Sequence, residues 1–309
     1  MPPTIDGATA LVGVLGDPVR HSLSPLMHNA ALEDLGLNWA YLALPTPAAA
    51  LAAVLHALEA IDCRGLNITL PHKQAAAALA TELSPLAGRL GAVNTLVRRA
   101  EGGWFGTNTD VEGFLAPLRD DNARDATVDW QGRRALVLGC GGSARAVVAG
   151  CAELALERIT VAGRRPQSLE PFVASCRPWA PGLRALTWNG TGVGPQGDPL
   201  AAALAQADLV VNTTPVGMVA QGNPAAAHRC PLGPGQLDHL RPGTVVYDLI
   251  YTPRPTRLLQ EAAARGCRAL DGLEMLVQQG AAALRLWSGQ PQVPVATMRR
   301  AALTRLEGP

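Results

Sequence analysis

Lys73 is the one lysine in a chain of 309 residues; of its 26 Lys+Arg, the other 25 are arginine. Arginine stays protonated in proteins, whereas a lysine can release its proton and act as acid or base. An anion could be held by either cation, but a group that passes a proton to a carbonyl or alkoxide cannot be arginine. Lys73 lies in "NITLPHKQ" (67–74), one of four polar clusters in the first half of the chain. The others are "HSLSP" (21–25), "GAVNT" (91–95) and "GTNTD" (106–110). Together they offer hydroxyls (Ser22, Ser24, Thr69), amides (Asn67, Asn94) and one candidate ion pair, Lys73 with Asp110. This set of donors and acceptors suits a small polyhydroxylated molecule, with the lysine available to a carboxylate or a reacting oxygen. Taken singly, each residue is equally well a cap or turn former, Ser24 before Pro25 being an example. Lys73 alone is equally well a surface residue at a helix start.

A second chemistry is written in "LVLGCGGSARA" (136–146), where Gly139, Gly141 and Ala144 fall in Gly-x-Gly-x-x-Gly/Ala spacing. The spacing has little weight in a chain with 32 glycines. Its position, directly after an apolar strand and opening a helix, is what such a loop needs to bring backbone N–H groups against a pyrophosphate. About 20 residues on, an NAD site carries an acid for the ribose 2′-hydroxyl; here the chain reads "VAGRRPQS", with Arg164, Arg165 and no acid. Two guanidiniums favour a 2′-phosphate through charge-assisted hydrogen bonds, and the expected cofactor is NADP. A ligand-free strand–helix turn and a solvated arginine pair are the alternatives.

The elements that must position these groups alternate along the chain. "TALVGVLG" (9–16), "WAYLAL" (39–44) and "GLNITL" (65–70) read as strands, with helices in "SPLMHNAALEDLG", closing on Gly36, and in "PAAALAAVLHALEA". The first 110 residues therefore read as an α/β unit of βαβ type. After a polar stretch at 119–132, a second series follows. Strands are expected at 134–139, 158–164, 207–215, 244–251 and 267–272, and helices at 143–156 and 256–266. Two further helices, at about 273–288 and 294–305, end the chain, and a Gly/Pro-rich loop spans 216–236.

Length suggests two domains. Hydrophobic content of 48%, 17% charged residues and a net charge of +1 describe a globular protein without the basic stripe of a nucleic-acid or anionic-membrane binder. No apolar run approaches a bilayer span, and "MPPTIDGATALVGVLG" lacks the basic start of a secretory signal. Six cysteines without a Cys-x-x-Cys pair read as reduced thiols, and the histidines show no metal spacing. The expectation is a cytoplasmic protein without metal, membrane or nucleic-acid partner.

In sequence order, "GDPVRHSLSPLMHNAAL", "GLNITLPHK", "GAVNTL", "GTNTDVEGF", "LGCGGSARA", "NTTPVGM", "YDLIYTPRPTRLL" and "DGLEMLVQQGAAALRLWSG" resemble the shikimate dehydrogenase family over essentially the whole chain. The resemblance implies a two-domain α/β fold: a substrate domain over 1–112, a doubly wound, Rossmann-like NADP domain over 113–272, and C-terminal helices over 273–309 returning to the first. It implies reversible reduction of 3-dehydroshikimate to shikimate by NADPH, without metal, in a cleft between the domains; closure over the substrate, with hinges near 110–115 and 270–273, is a further expectation. Lys73 then corresponds to the catalytic lysine and Asp110 to its partner. Substrate contacts fall on Ser22, Ser24, Thr69, Asn94, Tyr251 and Gln279, with Asn67 lining the same pocket. Cofactor contacts fall on Gly139, Cys140, Gly141, Gly142, Ser143, Arg164, Arg165, Leu249 and Gly272.

The chain departs from the family's habit at Gly163, where asparagine is common, at Leu249, where methionine is common, and at Glu274, where glycine is common. Its Ser-x-Ser in "HSLSP" points to shikimate over quinate. The competing readings are a quinate/shikimate dehydrogenase using NAD, a non-catalytic NADP-binding sensor, and a folate dehydrogenase of the same architecture. A sensor has no use for Lys73 with Asp110, and a folate pocket calls for more aromatics than the 4% present. Both a monomer and a homodimer stay open.

Overall fold

The computed structural model describes residues 5–119, 128–188, 197–219 and 223–307. Most of the polar stretch 119–132 and part of the loop 216–236 lie outside the described residues. The chain divides into two compact units, one of residues 1–113 with 274–309 and one of residues 114–273.

In the first unit, β1 (Ala10–Gly16), α1 (Ser24–Asp34) and β2 (Trp39–Pro45) make a parallel βαβ step. α2 (Leu51–Ala60) leads to β3 (Gly65–Ile68), also parallel to β1. Then come α3 (Lys73–Leu79), a two-residue β4 (Glu82–Leu83), α4 (Pro85–Leu90), β5 (Thr95–Arg98), β6 (Trp104–Thr107) and α5 (Asp110–Arg119). The strand order is β2-β1-β3-β5-β6-β4, with β5 antiparallel to both β3 and β6. The sheet is therefore mixed, unlike the uniform βαβ pattern expected for the first 110 residues. The connection over 99–103 is too short for a helical crossover, and Gly102 and Gly103, at φ +99° and +77°, turn the chain straight back. Leu15, Leu51, Leu55, Leu66, Ile68, Leu96 and Trp104 fill the core on one face, each large aliphatic contributing about 1.5–3 kcal/mol by burial.

In the second unit the order along the chain is β7 (Arg134–Leu138), α6 (Gly142–Glu153), β8 (Arg158–Gly163), α7 (Pro166–Cys176), β9 (Leu183–Thr187) and α8 (Pro199–Leu204). It continues with β10 (Leu209–Asn212), α9 (Pro234–Leu237), β11 (Val245–Asp248), α10 (Arg257–Ala264) and β12 (Arg268–Leu270). All its strand pairs are parallel, in the order β12-β11-β10-β7-β8-β9. This is a doubly wound sheet whose strand order reverses between β7 and β10, the point at which such sheets take ligands at their carboxyl ends.

α11 (Leu273–Ser288) and α12 (Val295–Glu307) complete the chain. α12 packs on α1, where Thr297 donates to Asp34 at 2.8 Å. Glu274 accepts two hydrogen bonds from Arg299, at 2.8 and 2.6 Å, and so ties α11 to α12; its departure from glycine has this local use. Among the described residues no helix is long and apolar enough to cross a membrane.

His28, on α1, is completely buried against Tyr41 and Trp287, and neither ring nitrogen has a hydrogen-bond partner. Burial drives its pKa down from 6.5 to about 3, so the folded chain holds it neutral while the unfolded chain protonates it first. Its contribution is complete above pH 6.5 and is lost as pH falls from there toward 3, at a limiting rate of about 1.4 kcal/mol per pH unit. Urea midpoints measured at pH 7.5 and pH 5 should fall less in His28→Phe than in the wild type. Equal falls would show that His28 does not set the acid sensitivity.

Candidate functional site

Lys73 is the first residue of α3 and Asp110 the first of α5. A helix N-terminus repels a cation and favours an anion, so Asp110 suits its place and Lys73 needs a counter-charge. The structure supplies it: Lys73 Nζ donates to Asp110 Oδ2 at 2.5 Å, with the side chains only 11% and 8% exposed. A pair this buried is costly to desolvate unless its remaining oxygen is also met. Asn94 Nδ2 meets it, donating to Asp110 Oδ1 at 2.8 Å.

Asn94 is the hub of the site. Its Nδ2 also lies 3.0 Å from Thr109 Oγ1 and 3.3 Å from Gln279 Oε1 on α11, and its Oδ1 accepts from the Thr109 backbone N–H at 2.7 Å and from Thr95 Oγ1 at 3.0 Å. Strand register gathers these groups: Asn67 on β3 pairs with Thr95 on β5, which pairs with Thr107 on β6. Asn67 Nδ2 donates to the Asn94 carbonyl at 3.3 Å and reaches Thr95 Oγ1 at 3.4 Å. Ser24 opens α1 without capping it; instead its N–H donates to Ser22 Oγ at 3.2 Å. Thr69, half-buried just past β3, accepts at its carbonyl from His72 N–H at 2.9 Å, in the turn that delivers Lys73.

Lys73, Asp110, Asn94, Asn67 and Gln279 thus form one hydrogen-bonded group in the first unit, with Ser22, Ser24 and Thr69 on adjoining segments of the same unit. Tyr251, also expected at the substrate, belongs to the second unit, where it is half-buried and burial raises its pKa. Thr95 and Thr109 are central to the network but were not singled out in the sequence, although both fall inside or beside the quoted polar clusters. What would have marked Thr95 is its register against Asn67 and Thr107, and what would have marked Thr109 is its approach to Asn94 just past β6; composition reveals neither.

The second unit carries the glycine loop between β7 and α6. Gly139 has φ +103°, and a Cβ there would lie 2.7 Å from Thr213 Oγ1, so the loop after β7 fits against the loop after β10 only as glycine. α6 starts without any side-chain cap at Gly141, and the space where a Gly141 side chain would stand is open. Free N–H groups at the start of a 12-residue helix, with room for close approach, fit a dinucleotide pyrophosphate. Cys140, Gly142 and Ser143 complete the loop. Arg164 and Arg165 follow β8 and are exposed, as a 2′-phosphate would require. Burial raises the Cys140 pKa, and the positive charge of Arg165 partly opposes this. At Gly163 a Cβ would lie 3.3 Å from Leu169 Cδ1 and in ordinary contact, at 3.5 Å, with Cys140 Sγ.

Leu249 and Gly272 meet one another, since a Cβ on Gly272 would lie 2.0 Å from the Leu249 carbonyl oxygen. Just before them Asp248 is fully buried, and burial lifts its pKa to about 6 against hydrogen bonds from Thr256 Oγ1 (2.7 Å), Ile250 N–H (3.2 Å) and Asn212 Nδ2 (2.9 Å). These bonds brace the carboxyl ends of β10 and β11 around the switch point.

Residues 14–96 match the family model of the shikimate dehydrogenase substrate binding domain, and residues 272–303 that of the shikimate 5′-dehydrogenase C-terminal domain. The chain is 47% identical over 304 residues to a NADP(+) shikimate dehydrogenase from Nostoc sp., covering 98% of this chain and 99% of that one. It is similar to the crystal structure of shikimate 5-dehydrogenase from Thermus thermophilus in complex with NADP(H) and shikimate, at 39% identity, TM-score 0.79 and 96% and 99% coverage. It is also similar, at 29% identity, TM-score 0.81 and the same coverage, to quinate dehydrogenase from Corynebacterium glutamicum in complex with NAD.

Proposed function

The chain belongs to the shikimate dehydrogenase family, and on that premise we propose that it catalyses the reversible, NADP-dependent interconversion of 3-dehydroshikimate and shikimate. The observation that carries the reading is the buried Lys73–Asp110 pair at 2.5 Å, set among amides and hydroxyls rather than in an apolar pocket. A proton donor with a fixed counter-ion is what reduction of a ketone requires and what a passive dinucleotide sensor does not.

In this reading the first unit holds the substrate and the second the dinucleotide. Ser22, Ser24, Asn67, Thr69, Asn94 and Gln279 hold the ring carboxylate and hydroxyls and orient the C3 carbonyl toward Lys73, and Tyr251 is a further proposed substrate contact. The loop Gly139–Ser143 receives the pyrophosphate, Arg164 and Arg165 the 2′-phosphate, and Leu249 and Gly272 flank the nicotinamide. NADPH, when bound, supplies the hydride. Lys73 meets the negative charge that grows on the carbonyl oxygen and transfers its proton there, completing the alcohol. Asp110 keeps the ammonium aimed, and Asn94 keeps Asp110 from turning away. In the oxidative direction Lys73 takes the hydroxyl proton back. The six cysteines are free thiols, in keeping with a cytoplasmic place of action.

Initial rates with shikimate and with quinate, each with NADP and with NAD, test the proposal. Shikimate with NADP should exceed every other combination by at least about tenfold in kcat/KM, a difference that one extra charged contact can supply. Preference for quinate with NAD would replace this reading by that of the quinate dehydrogenases.

A further inference from the structure

Behind the polar group of the first unit stands Tyr41 on β2, fully buried and therefore out of reach of any ligand. Its hydroxyl donates to Asn67 Oδ1 at 2.7 Å. It therefore ties β2 to a proposed substrate contact on β3. We propose that Tyr41 is a positioning residue that sets the orientation of Asn67 toward the substrate; this rests on the substrate pocket proposed above.

The phenol is placed for this task from every side. Its backbone exchanges two hydrogen bonds with the Asn29 side chain, at 2.8 and 2.9 Å. Its ring stacks on His28 at 4.2 Å and 3°, and Trp287 covers it at 6.1 Å. Trp287 is in turn anchored by Nε1 donating to the Leu96 carbonyl at 3.0 Å. A ring so enclosed has no second rotamer to visit, and its oxygen is a fixed point. Burial also raises the Tyr41 pKa well above the ordinary value, so the phenol remains a donor throughout the working pH range.

The fixed point decides which way Asn67 faces. With Oδ1 held by Tyr41, Nδ2 is directed to the Asn94 carbonyl and Thr95 Oγ1. Turned over, the amide would set its oxygen against the Asn94 carbonyl, acceptor to acceptor. Removing the hydroxyl removes that preference, and the buried oxygen loses its donor.

The test is a set of steady-state measurements on Tyr41→Phe, Asn67→Ala and the double variant, with shikimate and NADP. Tyr41→Phe keeps the stacked ring and should raise the shikimate KM about tenfold, the worth of one buried hydrogen bond. Its kcat should stay within about threefold and its NADP KM unchanged. In the Asn67→Ala background the same substitution should cost about threefold or less, because part of its route is already gone. His28→Phe, which keeps the packing and the hydroxyl, should leave the shikimate KM within about twofold of wild type. An unchanged KM in Tyr41→Phe, an equal penalty in both backgrounds, a parallel rise in NADP KM, or an equal rise in His28→Phe would each overturn the assignment. A wild-type chain that does not oxidise shikimate would instead refute the proposed function and this inference with it.

Discussion

Lys73→Arg is expected to lower turnover by about 10²–10⁴-fold, nearly as far as Lys73→Ala, while shikimate still binds to the arginine variant. The charge is preserved by the substitution, and Asp110 remains available to pair with it. What is lost is the proton, since a guanidinium does not release one in a protein. The alanine variant loses charge as well, leaving Asp110 buried with only Asn94 to serve it, so its substrate binding should weaken alongside turnover. Single-turnover reduction of 3-dehydroshikimate, combined with equilibrium binding of shikimate, separates the two effects. Near-normal turnover in Lys73→Arg would mean that electrostatic stabilisation alone suffices and that the proton comes from elsewhere.

Replacing Arg164 and Arg165 together by alanine is expected to lower kcat/KM with NADP by about 10²-fold, while kcat/KM with NAD changes less than about threefold. Both side chains are exposed and follow β8, so their contribution is screened and should shrink as salt is raised. The asymmetry between the two dinucleotides is the diagnostic result, because a general weakening of the glycine loop would lower both. With no side chain at 163, cofactor selectivity in the proposed reading falls on the two arginines. Equal loss with NADP and NAD would show that they support the fold of the loop and do not read the 2′-phosphate.

Five of the six strands, all but β9, were legible in the sequence of the second unit. Its short apolar runs, separated by helical stretches and opened by a glycine loop, are what a parallel sheet covered on both faces demands. Ends were over-read where polar residues continued a strand pattern: 207–215 holds a strand only over Leu209–Asn212, and 65–70 only over Gly65–Ile68. In both cases the last residues turn away to become the loop that carries polar groups. The mixed half of the first sheet was not recognised, because β5 and β6 are four residues each and a Gly-Gly turn was the only local sign of their hairpin. Ser24 could have been a helix cap by residue type, yet it caps nothing, and its N–H donates to Ser22 Oγ.

The sequence by itself determined the chemistry that was possible: a single cation able to give up a proton, an acid to accompany it, a glycine loop for a pyrophosphate and two arginines for a 2′-phosphate. These follow from residue type and local spacing, which need no knowledge of the fold. Only the tertiary structure decided which groups meet. Asn94 reaches Gln279 across 185 residues because α11 returns to the first unit. Asn67 lies beside Thr95 because β5 runs antiparallel to β3, and Tyr41 stands behind both because β2 is folded under α1 and α11. Contacts of that range are set by the pairing and packing of whole elements, and no window of sequence contains them.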